Sequence, residues 1–172
     1  EEFWIGTPKS GIVDYEFKGK NRIRLFQPRE NFLIRDISCM MTDHEGNIWI
    51  GAGSELYFSP GEKIEFKLLE GKVKSGSIRA ILSDRNGQIW FSNESGVFCV
   101  PNTHGNDEEI LQPFKGTQFQ DLTVISMYED VYGYIWMGTF DSGVLRYHPE
   151  TRNVRLFDES RGLINMNVLS IA

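Results

Sequence analysis

The stretch Asp130-Val131-Tyr132-Gly133-Tyr134-Ile135-Trp136-Met137-Gly138 joins a turn signal to an apolar strand. Its pattern returns as Asp43-His-Glu-Gly46-Asn-Ile-Trp49-Ile-Gly51 and as Asp84-Arg-Asn-Gly87-Gln-Ile-Trp90-Phe-Ser92, so Asp-x-x-Gly-x-Ile-Trp occurs three times. A fourth copy keeps only its second half, Phe3-Trp4-Ile5-Gly6-Thr7, which reads as a chain starting in mid-repeat. The tryptophans at 4, 49, 90 and 136 are separated by 45, 41 and 46 residues, and a quarter of 172 is 43. Such a period marks a repeat architecture.

Each copy reads as four short strands. An apolar segment precedes each Asp (Ile37–Met41, Ile78–Leu82, Val124–Tyr128, and Val168–Ala172 at the end), apolar at nearly every position as if covered on both faces. The Asp-x-x-Gly is a tight hairpin, because an Asp side chain accepts from N–H groups two residues on and Gly adopts positive φ. The next strand carries Trp, whose ring is expected to cover the neighbouring unit. A third strand follows (Gly11–Tyr15, Leu56–Phe58, Gly96–Val100, Gly143–Tyr147), then a more polar outer strand (Arg22–Phe26, Lys63–Lys67, Glu109–Leu111, Asn153–Phe157).

Antiparallel units of this length without a helical period predict an all-β fold of β-propeller blades, four four-stranded antiparallel units. The expected repeat units are 1–42, 43–83, 84–129 and 130–172 of one partial propeller spanning 1–172. A β-sandwich with coincident tryptophans is the alternative, and the shared Asp, Gly and Trp spacing argues against it. Four residues before each Asp, or its equivalent, stand Cys39, Ala80, Ser126 and Ser170, all small, as if inner strands crowded an axis. Cys39 is expected to be a buried structural thiol, unpaired with Cys99, which lies in a column with Phe58 and Arg146.

Composition excludes several classes. Eighteen basic against 24 acidic residues leave a net charge of -6 with no basic cluster, so nucleic acid is not an expected partner. No apolar stretch approaches the roughly 20 residues that cross a bilayer, and no membrane contact by this segment is expected. Two cysteines define no disulfide framework. No metal-ligand spacing, cofactor motif or nucleophile–base–orienter set is visible, so the segment reads as non-catalytic, without cofactor or metal.

Phe3–Thr7, Ile48–Gly51, and the run Ile135-Trp-Met-Gly-Thr139-Phe-Asp-Ser-Gly-Val-Leu-Arg-Tyr-His-Pro149 with Gly162–Ala172 resemble two-component-regulator propeller repeats. The resemblance covers the whole chain and is fullest in the last repeat. It departs at Gly51-Ala-Gly-Ser-Glu55, at Ser92-Asn93, and in the polar loop Pro101–Glu109. It implies a fragment of a larger, seven-bladed propeller in the periplasmic sensor region of a Bacteroides-type hybrid two-component system. The parent would be an inner-membrane histidine kinase, expected as a homodimer, whose relatives sense glycan breakdown products. As an open fragment the chain would not pair 166–172 with 2–6, whereas a closed four-bladed ring would.

The ligand expected from that resemblance is a carbohydrate or other small polar molecule. Propeller ligands bind at one channel mouth, built from loops entering the inner strands and loops joining the second and third strands. The first set contributes Arg35, Asp36, Arg79, Gln120, Asp121 and Asn165; the second contributes Lys9, Asn93, Glu94, Phe140 and Asp141. Donors, acceptors and an aromatic suit sugar hydroxyls and a pyranose face. Asp43, Asp84 and Asp130 are read as turn caps on the opposite face. A propeller enzyme, lyase or glycosidase-like, is the rival: Ile89–Glu94 is similar to a streptogramin lyase repeat, but His44, His104 and His148 are expected at the far face from the mouth. A passive protein-interaction propeller is the third class.

Overall fold

Where the chain needs to reverse after an inner strand, an aspartate and a glycine three residues later do the turning. The computed structural model describes residues 2–7, 11–16, 22–26, 34–61, 64–69, 76–101 and 110–171. The first unit contains β1 (Glu2–Thr7), β2 (Gly11–Glu16) and β3 (Arg22–Phe26). The second contains β4 (Ile37–Thr42), β5 (Ile48–Ala52), β6 (Glu55–Ser59) and β7 (Lys67–Leu68). The third contains β8 (Ala80–Ser83), β9 (Ile89–Asn93) and β10 (Gly96–Val100), and the fourth β11 (Val124–Glu129), β12 (Ile135–Thr139), β13 (Val144–Tyr147) and β14 (Val154–Phe157). All pairings are antiparallel between sequential neighbours, and the described residues contain no α-helix, only a single 3-10 turn at Glu159–Arg161. These are propeller blades.

The repeated motif forms one hydrogen-bonded unit in each of three blades. Asp84 Oδ1 accepts from the N–H groups of Asn86 and Gln88, both at 2.9 Å, and Oδ2 accepts from the Trp90 indole at 2.9 Å. Asp43 holds Glu45, Asn47 and Trp49 at 3.0, 2.9 and 2.9 Å. Asp130 holds Tyr132, Tyr134 and Trp136 at 2.9, 3.0 and 2.8 Å. Gly46, Gly87 and Gly133 close these turns at φ of 83°, 75° and 82°, a left-handed conformation that costs glycine little.

Three apolar clusters lie at the seams between consecutive blades. Trp4 packs with Ile37, Ile50 and Tyr57 of the second blade. Trp49 packs with Ile78, Ile89 and Phe91 of the third, and Trp90 with Val124, Ile135 and Met137 of the fourth. Trp4, Trp49 and Trp90 therefore each cover the next blade, as their strand position implies. Burying one indole removes roughly 200 Å² from water, about 5 kcal/mol at 25 cal per Å².

The seams also explain the small residues. Cys39, Ala80 and Ser126 pair in register with Gly51, Ser92 and Gly138. A Cβ on Gly51 would stand 2.5 Å from Ile78 Cγ2 and 2.8 Å from Cys39 Sγ; one on Gly6 would stand 2.6 Å from Ile37 Cγ2. The crowding thus lies where the next blade's first inner residue enters, rather than around an axis. In the third blade Ser92 replaces glycine and its hydroxyl donates to Val124 O at 2.8 Å.

Several sequence expectations shift. The inner strands are only half-buried, whereas β5, β9 and β10 are buried throughout, because one face of an inner strand meets only its neighbouring inner strands. Among the described residues the third blade shows three strands, its outer strand being represented by one bridge, Cys99–Leu111. The second blade's outer pairing falls at Lys67–Leu68, late in the expected Lys63–Lys67, although Phe66 is buried and Ile64 and Leu68 pack partly against the same core. Lys63, Glu109 and most of the Pro101–Glu109 loop lie outside the described residues. Cys39 is half-buried and Cys99 buried, both free thiols; burial pushes Cys39 up to about 11 and Cys99 up to about 12.

Residues 167–171 form no ladder, contrary to the expected strand Val168–Ala172, and Ala172 itself is outside the described residues. Val168 nevertheless takes the inner-strand place: a Cβ on Gly138 would meet Val168 O at 2.6 Å, and Val168 N–H donates to Thr139 O at 2.8 Å. Among the described residues no strand pairing joins 166–171 to Glu2–Thr7, and β1 pairs only with β2.

Asp84 is 1% exposed and holds three donors, so Asp84→Ala leaves a buried indole N–H and two turn amides without their acceptor. We expect a loss of about 3 kcal/mol in urea unfolding at pH 7. For Asp130, desolvation acts to raise the pKa, but the Trp136 indole, the N–H groups of Tyr134 and Tyr132, and Arg146 outweigh it and hold the carboxyl below the ordinary aspartate value. The unfolded chain then binds the proton more readily than the folded one. The stabilisation is complete above the ordinary value of about 3.9 and is lost as pH falls through the lower folded value. Urea unfolding of wild type and Asp130→Asn should accordingly converge in stability below about pH 4; a constant gap from pH 7 to 2.5 contradicts this.

Candidate functional site

Two sets of loops share one end of the blades. The strand directions place the β5–β6, β9–β10 and β12–β13 connections beside the segments that enter β4, β8 and β11, and backbone bonds tie them. Gly53 N–H donates to Asp36 O at 3.2 Å, Ile78 N–H to Gly53 O at 2.7 Å, and Phe140 N–H to Thr123 O at 2.9 Å. Arg79 N–H donates to Ser92 O at 2.8 Å and Gly143 N–H to Met166 O at 2.8 Å. The Asp-x-x-Gly hairpins occupy the opposite end.

A cleft of about 320 Å³ opens at the loop end of the third blade, lined by Glu94, Ser95, Val97, Gln112, Phe114, Lys115, Gln120 and Asp121. Three residues expected from sequence meet here: Glu94, Gln120 and Asp121. The Arg79 guanidinium reaches Glu94 at 2.6 Å, so a fourth stands beside it. Desolvation acts to raise the Glu94 carboxyl, but its own N–H, the Arg79 guanidinium and the Ser77 N–H outweigh this and lower it. Gln120 accepts from Gly116 N–H at 2.7 Å and donates to Asp121 at 3.3 Å. Gly96 permits the approach: a Cβ there would lie 2.3 Å from Gln120 O.

The other expected residues lie apart from this cleft. Asn93 is fully buried, and its Oδ1 accepts from Ser95 N–H at 2.7 Å. Arg35 and Asp36 are exposed at the second blade, with Asp36 at φ 55°. Phe140, 57% exposed, and Asp141 form the tip of the β12–β13 loop, while Asn165 caps its own turn by accepting from Asn167 N–H at 2.8 Å. Lys9 and His104 lie outside the described residues. His44 and His148 stand at the hairpin end: His44 Nε2 is 2.8 Å from Asp84 O, and the His148 ring packs edge-on to Tyr134.

Gln112, Phe114 and Lys115 are absent from the sequence expectation. They belong to a chain of turns, with Lys115, Thr117 and Gln120 N–H donating to Gln112, Phe114 and Thr117 O at 3.1, 3.0 and 3.2 Å. Phe114 anchors it, 2% exposed and 5.1 Å from the Tyr147 ring. The signal available in sequence is Pro113-Phe114 followed by Gly116, an apolar anchor inside a polar insertion. Two carboxylates, an ammonium, two amides and an apolar floor supply both donors and acceptors, which suits a polar ligand held by hydrogen bonds.

Fold and loop end together define a β-propeller segment with its candidate site at the loop end. The sequence profile described as two component regulator propeller matches residues 31–54, 72–95 and 118–141, each spanning one Asp-x-x-Gly-x-Ile-Trp motif. The chain is similar to histidine kinase P4 of Formosa agariphila, 26% identical over 94% of this chain and 12% of that protein. It superposes on the extracellular domain of a hybrid two component system from B. thetaiotaomicron with a TM-score of 0.78 at 21% identity, covering 98% of this chain and 23% of that one. A second extracellular domain from B. thetaiotaomicron, described as a one component system, gives 0.80 at 20% identity with 99% and 23% coverage. Virginiamycin B lyase from Staphylococcus aureus shares the fold at 0.67 and 15% identity, covering 91% of this chain and 52% of that one. The chain therefore spans about an eighth of the length of its curated relative and under a quarter of each two-component neighbour. No helix among the described residues is long and apolar enough to cross a membrane.

The Arg79–Glu94 pair is exposed on both sides, 47% and 42%, and exposed pairs contribute little to folding. Arg79→Ala should cost about 1 kcal/mol or less in urea unfolding; a larger loss shows that the pair is structural rather than part of a ligand surface.

Proposed function

We propose that this chain is a ligand-sensing segment of an extracytoplasmic, periplasmic propeller in a hybrid two-component sensor anchored in the inner membrane. It responds to a carbohydrate or other small polar ligand and signals to a histidine kinase of the same parent protein. The observation that carries the reading is the match of three consecutive repeats to two component regulator propellers. The likeness to a histidine kinase and to extracellular two-component domains supports it.

The segment captures rather than converts its ligand. Glu94, Gln120 and Asp121 offer acceptors, Lys115 and the two glutamines offer donors, and the apolar edge of Phe114 lies beneath. Arg35, Asp36, Phe140, Asp141 and Asn165 extend the same loop end toward neighbouring blades, where a longer ligand would reach. Binding energy available only in one arrangement of a parent homodimer shifts that arrangement, and the membrane helices pass the shift to the kinase.

Calorimetry of the extracytoplasmic region against a panel of oligosaccharides tests the reading. Saturable binding that Asp121→Ala and Glu94→Gln each weaken roughly tenfold, one charged hydrogen bond's worth, is the expected result. Turnover of a substrate with no saturable oligosaccharide binding sinks it.

A further inference from the structure

At the seam between the third and fourth blades, the ring that fills the preceding seam changes sides. Phe58 stands opposite Trp49, 4.7 Å from its ring, and packs in one cluster with Val100 of the next blade. In register, Cys99 takes the place of Phe58, and Tyr147 takes the place of Val100. The Tyr147 ring lies 5.7 Å from Trp90 and 5.1 Å from Phe114, so it restores apolar contact but brings a hydroxyl with it. A cleft of about 400 Å³ opens beside this exchange, with Trp90, Cys99 and Tyr147 in its walls. Both sides of the seam contribute, Gln88 and Leu111 from the third blade and Pro149 and Arg152 from the fourth.

Four polar side chains line the cleft without a hydrogen-bond or ion-pair partner among the described residues: Gln88, Gln112, Tyr147 and Arg152. Tyr147 is 5% exposed, and a hydroxyl on so buried a residue is ordinarily matched. Burial raises its pKa and the Arg152 charge opposes that, which puts the two groups within electrostatic reach. Neighbouring carboxylates do not neutralise Arg152. Asp84, close enough to act on Cys99, spends its oxygens on two turn amides and the Trp90 indole, and Glu150 makes no ion pair among the described residues. Val100 and Ile110, on either side of the stretch 102–109 that lies outside the described residues, pack in the seam toward the second blade. The cleft is on the other face of the sheet, with Cys99 and Leu111.

We propose that this seam cleft binds a small aryl carboxylate, a flat apolar ring bearing one carboxylate group. Arg152 and the Tyr147 hydroxyl donate to the carboxylate, a pairing stronger than neutral hydrogen bonds, and the two glutamine amides offer further donors. Leu111, Pro113, Pro149 and the Trp90 indole give the ring an apolar slot, beside the thiol that replaces a phenyl group. A purely apolar occupant would leave the hydroxyl and the guanidinium unmet. The site stands apart from oligosaccharide capture: Gln112 lines both clefts, but Cys99 and Arg152 line only this one.

NMR titration of the ¹⁵N-labelled full chain with sodium benzoate at pH 7 tests it, with sodium acetate as the charge without the ring and benzyl alcohol as the ring without the charge. Saturable benzoate shifts are expected at the Trp90 indole N–H and the amides of Cys99 and Tyr147. Acetate and benzyl alcohol should each bind at least roughly tenfold more weakly. Arg152→Gln, at an exposed turn, should weaken benzoate binding roughly tenfold. Cys99→Phe, which copies the second blade, should fill the slot and abolish the response. No saturable shift with benzoate, equal affinity for acetate or benzyl alcohol, or unchanged benzoate affinity in either folded variant overturns the proposal; should Cys99→Phe not fold, Arg152→Gln decides it.

Discussion

One hydrogen bond, from the tryptophan indole to the aspartate six residues before it, sets the rest of this structure. A buried carboxylate is costly unless its oxygens are matched, and in Asp84 one oxygen takes two turn amides while the other takes the indole. The turn cannot form without aiming the second oxygen at the strand that follows. The tryptophan cannot satisfy its N–H without lying over the hairpin that feeds its own strand. Local turn chemistry and long-range seam packing thereby become one event in the second and third blades, and the same indole bond recurs in the fourth, all at 2.8 to 2.9 Å.

The hairpin ends are then coupled in turn. The residues after Asp43 and Asp84 reach the next hairpin: His44 Nε2 meets Asp84 O at 2.8 Å, and Arg85 donates to Asp130 O at 2.5 Å while its N–H and Nε hold Glu129 at 2.7 and 2.5 Å. At the loop end the ties include backbone bonds such as Ile78 N–H to Gly53 O at 2.7 Å, while Arg35, Asp36, Phe140 and Asp141 are exposed. A scaffold fixed at one end leaves the other free to vary in sequence without loss of the fold, which is where loops on a rigid frame carry recognition.

Much of this was readable in the residues because the motif combines elements with single geometric solutions. Asp and Gly three apart admit one kind of turn, and Ile-Trp after it admits one face for the ring. The indole bond itself was not readable, since spacing alone does not reveal that a side chain two strand positions beyond the turn bends back to it. Cys39, Ala80 and Ser126 were visible as a small column, yet their reason lies in Ile78 and its counterparts, forty residues away and on another blade. The inner strands misled for a related reason: Ile37–Met41 is apolar enough for two covered faces, while the packing covers one. Of the candidate site, Glu94, Gln120 and Asp121 followed from topology, but Lys115 and Gln112 depend on how Phe114 anchors a run of turns, which has no periodicity to read.

The position across from each tryptophan carries the final step. Phe58 lies 4.7 Å from the Trp49 ring, Cys99 opposes Trp90, and Arg146 lies 5.5 Å from Trp136. An aromatic, a thiol and a cation occupy one structural place, and the indole keeps its orientation in all three because the aspartate holds it rather than the residue opposite. That residue is thereby released from packing duty. In the second and third blades it is spent on the seam, whereas in the fourth its guanidinium lies over the Tyr134 ring. The constraint that makes the blades alike is thus the one that lets the residue opposite the tryptophan differ in chemistry from blade to blade.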